Sequence, residues 1–138
     1  GGGGGPGSGY GRGAGGLRGR RASVPTIRPG TANVKGALSK EVIRRVVRSH
    51  MNEIKFCYEQ QLALNPKLEG KVAIRWQINS DGSASNTVVD AGASTLPNAE
   101  VMSCIMARIV TWEFPKPKGG GIAIVTYPWI LRSSGGGS

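Results

Sequence analysis

Two cysteines, one histidine and eight carboxylates are the residues of this 138-residue chain whose types could do chemistry. Cys57 and Cys104 match neither the CxxC spacing of a redox pair nor a four-ligand zinc set. Composition leaves two readings open: one structural disulfide in an oxidising compartment, or two buried thiols packed as small apolar residues. His50 lies seven residues before Cys57 on one helical stretch. Two turns is too far for a thiolate–imidazole nucleophile. A metal centre on His50, Cys57 and Cys104 would need a fourth ligand, and His50 reads more simply as an ordinary helix histidine. The carboxylates are scattered, with no paired set for acid–base work. Gly119-Gly120-Gly121 precedes a strand rather than a helix, so it is not a phosphate-cradling loop. These absences predict a non-enzyme with no catalytic residue, no cofactor and no metal.

The elements that carry the cysteines are legible from periodicity. Over Ser39–Gln61 and just beyond, Ile43, Val47, Met51, Ile54, Tyr58 and Leu62 recur at three- or four-residue spacing, flanked by Val46, His50 and Cys57. That is one apolar stripe on one long helix. Ser39 is placed to cap it, and Asn65-Pro66 stops it. A second helix starts at Asn98 or Thr95, with Pro97 and Glu100 in its first turn. Its stripe is Val101, Cys104, Ile105, Ile109 and Trp112, with the stem of Arg108. Each cysteine sits on its helix's stripe. Two stripes laid on one sheet bring both sulfurs to the same side, which favours the bond.

The sheet comes from three stretches. Val72, Ile74, Trp76 and Ile78 alternate with polar or small residues across Lys71–Asn79, the cleanest strand. Asp81-Gly82 then signals a hairpin. The return strand over Ser83–Ala91 slips its alternation between Ala84 and Val89, which predicts a bulge or an irregular end. Ile122–Leu131 is the last strand, nearly continuous in apolar and aromatic residues. Pro128 lacks an N–H, which marks part of that strand as an edge or a bulge. A short strand within 22–36 is also foreseen. The expected fold is α+β, two helices on one face of a small antiparallel sheet, in the order α-β-β-α-β.

Of the 23 glycines, most fall in the first 36 residues and the last four, so residues 37–132 form the expected single domain. Formal net charge is +10, and residues 1–36 contribute +6 of it without an acid. That stretch reads as a disordered, extended linker, and 133–138 as a flexible tail. Tyr10 and Arg12 among glycines raise a rival reading, an RG-rich nucleic-acid tail. No stretch is apolar for the roughly 20 residues of a membrane span. The opening GGGGGPGSG reads as a fragment, with any anchor upstream.

The segments FCYEQQL, GKVAIRWQINSDGSA, TWEFPKPKGGG and IAIVTYPWIL follow one another in a characteristic order. With Cys57-Tyr58-Glu59, Gly70, Asp81-Gly82, Cys104, Trp112, Phe114-Pro115 and Gly119-Gly120-Gly121, the stretch from about 38 to 131 resembles the AgmX/PglI C-terminal domains. These are relatives of the TonB C-terminal domain in the gliding-motility envelope machinery. The resemblance implies a periplasmic domain of an inner-membrane-anchored protein that couples an energised motor to outer-membrane or other periplasmic partners by strand addition at a sheet edge. It places that edge on Ile122, Ala123, Ile124, Val125, Thr126 and Tyr127. The periplasm it implies would also suit a Cys57–Cys104 disulfide. The glycine-rich linker departs from the proline-rich spacer of simple TonB proteins. Two further readings stand beside this one. One is a nucleic-acid-binding module using the basic tail and Arg44, Arg45 and Arg48. The other is a homodimer that swaps edge strands.

Overall fold

The computed structural model describes residues 25–133; the Gly/Arg-rich stretch 1–24 and the tail 134–138 lie outside the described residues. Two short strands come first, β1 (Thr26–Pro29) and β2 (Asn33–Lys35). Helices α1 (Lys40–Ser49) and α2 (Met51–Leu62) follow, then the hairpin β3 (Gly70–Ile78) and β4 (Ala84–Val89). Helix α3 (Ala99–Ile109) and strand β5 (Ala123–Arg132) complete the fold. Short 3-10 turns at Ala91–Ala93 and Lys118–Gly120 link them. The class is α+β, with a five-stranded antiparallel sheet in the order β1-β5-β3-β4 and β2 also on β5.

The single long helix expected over Ser39–Gln61 is two. His50 sits between them with φ −113° and ψ 15°, outside helical geometry. Ser49 Oγ donates to the Val46 carbonyl at 2.7 Å. Such back-bonding offers the backbone an alternative to the helix ladder. The apolar stripe survives the break, because Ile43, Val47, Ile54, Cys57 and Tyr58 are all buried. Ser39 caps α1, its hydroxyl accepting from Val42 N–H at 3.2 Å. Asn98, not Thr95, caps α3: Asn98 Oδ1 accepts from Val101 N–H at 2.8 Å. Thr95 instead uses its hydroxyl to accept from Lys71 N–H at 2.9 Å.

Alternation in β3 and β5 places Val72, Ile74, Trp76, Ile78, Ala123, Val125, Tyr127, Trp129 and Leu131 on the inner face, all buried. The helices cover them with Ile43, Val47, Ile54, Tyr58, Val101, Ile105 and Ile109. Each such side chain stabilises the fold by about 1.5–3 kcal/mol. Trp76 and Trp129 bury their indole N–H groups without a partner among the described residues. That costs about 1–3 kcal/mol each, which burial of the rings offsets. Burial also pushes the Tyr58 phenol up to about 12, with Glu69 adding to it. The phenol stays protonated and donates to the Leu68 carbonyl, tying α2 to the start of β3.

The slip foreseen in the return strand is present. The β3–β4 register shifts between Arg75 and Gln77, and Asn86 takes φ 54°. Beyond the end of β4 the chain keeps covering β3. Asp90 N–H donates to the Ala73 carbonyl, and Thr95 and Leu96 N–H to the Lys71 carbonyl, at 2.8–3.0 Å.

The hairpin turn depends on Gly82, whose φ of 90° suits glycine. A Cβ there would run into the Phe114 carbonyl oxygen. Gly82→Ala is therefore expected to lower stability by about 2 kcal/mol or more, read as a fall in the urea midpoint at unchanged slope.

Candidate interaction surface

The rim assigned to Ile122–Tyr127 is not a rim. β5 pairs with β3 along Ala123–Leu131, and its other flank carries β2 opposite Ile124–Thr126 and β1 opposite Trp129–Arg132. Ala123, Val125 and Tyr127 are buried inward, and Ile124 and Thr126 are half-buried on the outer face. Ile122 precedes the strand and is 51% exposed. The clue from Pro128 has a different cause. Gly30 N–H donates to the Pro128 carbonyl at 2.9 Å, so the backbone polar groups of residue 128 face the β1–β2 side. The missing N–H falls opposite the break between β1 and β2, where no ladder bond is lost.

The free rims are β4 on one side and β1–β2 on the other. β1 and β2 hold four and three residues, are interrupted after Pro29, and expose most of their side chains. β4 is six residues long and ends Thr87-Val88-Val89, with Val88 42% exposed. Asn86 twists its first half.

The register also sorts the charges of the sheet. Arg28, Lys35, Lys71, Arg75 and Arg132 all fall on the outer face, away from the helices, and no strand carries an acid. Arg28 and Lys71 flank Ile130 on its two sides. The cationic sheet face was only half legible: alternation assigns Lys71 and Arg75 to the polar side of β3, but Arg28, Lys35 and Arg132 join them only through pairing. The Arg-rich helix face named earlier is present too. Arg44, Arg45 and Arg48 are exposed on α1, and Arg44 pairs with Glu41 at 3.2 Å.

The two cysteines meet. Cys57 on α2 and Cys104 on α3 lie at disulfide distance, S–S 2.03 Å, across 47 residues of chain. His50 does not join them. Its Nδ1 lies 2.7 Å from Glu53 Oε2, and its ring stacks on Trp112 with centroids 4.6 Å apart. Trp112 Nε1 donates to the other Glu53 oxygen at 3.0 Å. This corner joins the α1–α2 break to the segment after α3, and sequence reading missed it because Glu53 and Trp112 are far apart in the chain. Partial burial raises the Glu53 pKa, but hydrogen bonds from Trp112 and His50, then the charges of His50 and Arg108, outweigh it and hold the carboxyl below its ordinary value. Among the described residues no group of three or more His, Cys, Asp or Glu could hold a metal ion. No described helix is long and apolar enough to cross a membrane.

Scans of the chain against protein-family models, curated proteins and solved structures return no match.

Cys57→Ala/Cys104→Ala, which opens the 47-residue loop, is expected to cost about 4 kcal/mol in the chain-entropy model. Urea unfolding of the oxidised parent against the double variant measures it. For Glu53 the folded pKa is depressed, so the carboxylate's contribution is present above its unfolded value of 4.5 and is lost as pH falls through the lower folded value. Glu53→Gln should then cost roughly 1 kcal/mol at pH 7, reduced by solvent screening, and progressively less as pH falls below 4.5. Urea midpoints at pH 7 and at a series of acid pH values test this.

Proposed function

We propose that this chain is a non-enzymatic protein-interaction domain of a cell envelope, similar in role to the C-terminal domains of TonB-like couplers. In this reading it works in the periplasm, joined by its Gly/Arg-rich linker to an inner-membrane anchor, and engages outer-membrane or periplasmic partners of a motility or energy-transducing complex. The observation that carries it is the Cys57–Cys104 pair at disulfide distance between α2 and α3. Such a bond persists in an oxidising compartment. It also ties down the helix layer, which a domain under mechanical load requires.

The docking site in this reading is the outer flank of β4, not β5. Strand addition needs a run of free main-chain groups, and side chains on alternate faces set the register. Asp90 N–H faces β3, so alternation turns the polar groups of Val89 outward. Thr87-Val88-Val89 is β-branched throughout and free of proline. The β1–β2 rim is shorter, broken and bears Pro29, features that discourage pairing.

A second reading draws on the five outer-face cations, which suit an anionic polymer. That surface presents no aromatic side chain, because Trp76, Tyr127 and Trp129 all turn inward, so it offers no platform for stacked bases. Strand addition is therefore the better reading of the two.

Extended peptides from outer-membrane partners of the envelope complex, titrated into the 15N-labelled chain, should shift the amides of Ser85–Val89 and slow exchange of the Val89 amide about tenfold or more. Shifts confined to Lys71, Arg75 and Ile130, lost on raising salt from 50 to 200 mM, would instead favour the polyanion reading.

A further inference from the structure

Beside α1, where β1 pairs with β5, the surface carries a partly open pocket of about 120 Å³ lined by Pro29, Arg44, Val47, Arg48, Met51 and Tyr127. Three of these, Pro29, Val47 and Met51, make an apolar floor and wall. The other three bring hydrogen-bond donors. Arg44 and Arg48 are one turn apart on α1 and so lie on one face of it. Tyr127 reaches the cavity from the sheet below.

Tyr127 separates this place from an ordinary solvated arginine face. It is only 2% exposed as a residue and lines the pocket wall, and no hydrogen bond joins its hydroxyl to another described residue. Burial raises the Tyr127 pKa while Arg44 and Arg48 draw it partly back. The phenol thus keeps its proton at neutral pH and can donate.

Acids nearby are few. Glu41 is the one acid on α1 and engages Arg44 at 3.2 Å. β1 and β5 carry none. On α2, Glu53 is held by His50 and Trp112, and Glu59 is the other acid. Arg48 has no ion-pair partner among the described residues.

We propose that this cavity is a binding site for a carboxylate carried on a short aliphatic stem, presented by a peptide as a C-terminal residue or as a glutamate side chain. Arg48 grips the carboxylate as a fork, and Arg44 adds charge. The Tyr127 hydroxyl donates from below. The stem lies against Pro29, Val47 and Met51. The pocket holds about four waters' worth of volume, at roughly 30 Å³ each, which suits a carboxylate with a few carbons while the rest of the peptide stays outside. The site does not depend on the β4 rim: it lies across the sheet, beside β1.

The test titrates the 15N-labelled full chain with three probes: N-acetyl-Ala-Val with a free carboxylate, the same dipeptide as its C-terminal amide, and N-acetyl-Glu amide. Saturable shifts at Val47, Met51 and Tyr127 are expected for at least one carboxylate, with a Kd of roughly 1 mM or tighter. The valine amide should bind at least tenfold more weakly than its acid. Whichever carboxylate binds more tightly identifies the source. Equal binding of acid and amide, or no saturable shift with any probe, overturns the proposal. Arg48→Gln is expected to weaken binding about tenfold. Tyr127→Phe should weaken it roughly threefold or more, through loss of one donor, with the melting temperature little changed because no described residue is bonded to that hydroxyl. Binding by Tyr127→Phe equal to that of the parent also overturns it.

Discussion

β5 has a strand on each flank and helices across its inner face, and the rest of the domain is arranged to permit that. Nine of its residues pair with β3, and the two short strands that open the described chain return to its other side. A strand in that position ordinarily excludes proline. Pro128 is tolerated because the neighbouring strand is broken where the missing N–H would have been needed. The break is kept close by Gly30, where a Cβ would press on the Pro128 ring at 2.7 Å. Inner-face burial of Val125, Tyr127, Trp129 and Leu131 then joins the sheet to the helices.

The helical layer is held by two different devices. Cys57 and Cys104 link α2 to α3 covalently. At the other end of α2, His50, Glu53 and Trp112 form a small polar and aromatic corner that fills the break after α1. The first acts through the unfolded chain, by removing conformations from it. The second acts in the folded state, and it depends on the ionisation of one carboxylate. Neither device lies on the outer sheet face or on β4, so both leave the surfaces available to a partner unobstructed.

Those surfaces differ in chemistry. The outer sheet face is cationic and aliphatic, the β4 flank offers unpaired main-chain groups, and the cavity under α1 joins two guanidinium groups to a buried phenol. An interaction domain that meets a partner through strand addition gains affinity from the backbone and selectivity from neighbouring side chains. Charge on an adjacent face would steer an acidic partner and add little to strength once docked.

Much of this architecture was legible from residue order alone. Alternation in Lys71–Asn79, the Asp81-Gly82 turn, the slipped return strand and the apolar stripes around Cys57 and Cys104 all report local periods, which depend on near neighbours in the chain. The helix break at His50 was not legible, because its causes are a short-range competition by Ser49 and contacts with Trp112 that periodicity does not encode. Nor was the position of β5. Sequence specifies that a strand is apolar on one face, but its flanks are satisfied by backbone groups that every residue carries. Which strands share an edge is therefore settled only by closure of the chain in three dimensions. The same holds for the cationic sheet face and for the meeting of Arg44, Arg48 and Tyr127, each of which exists only once separated segments are brought into register.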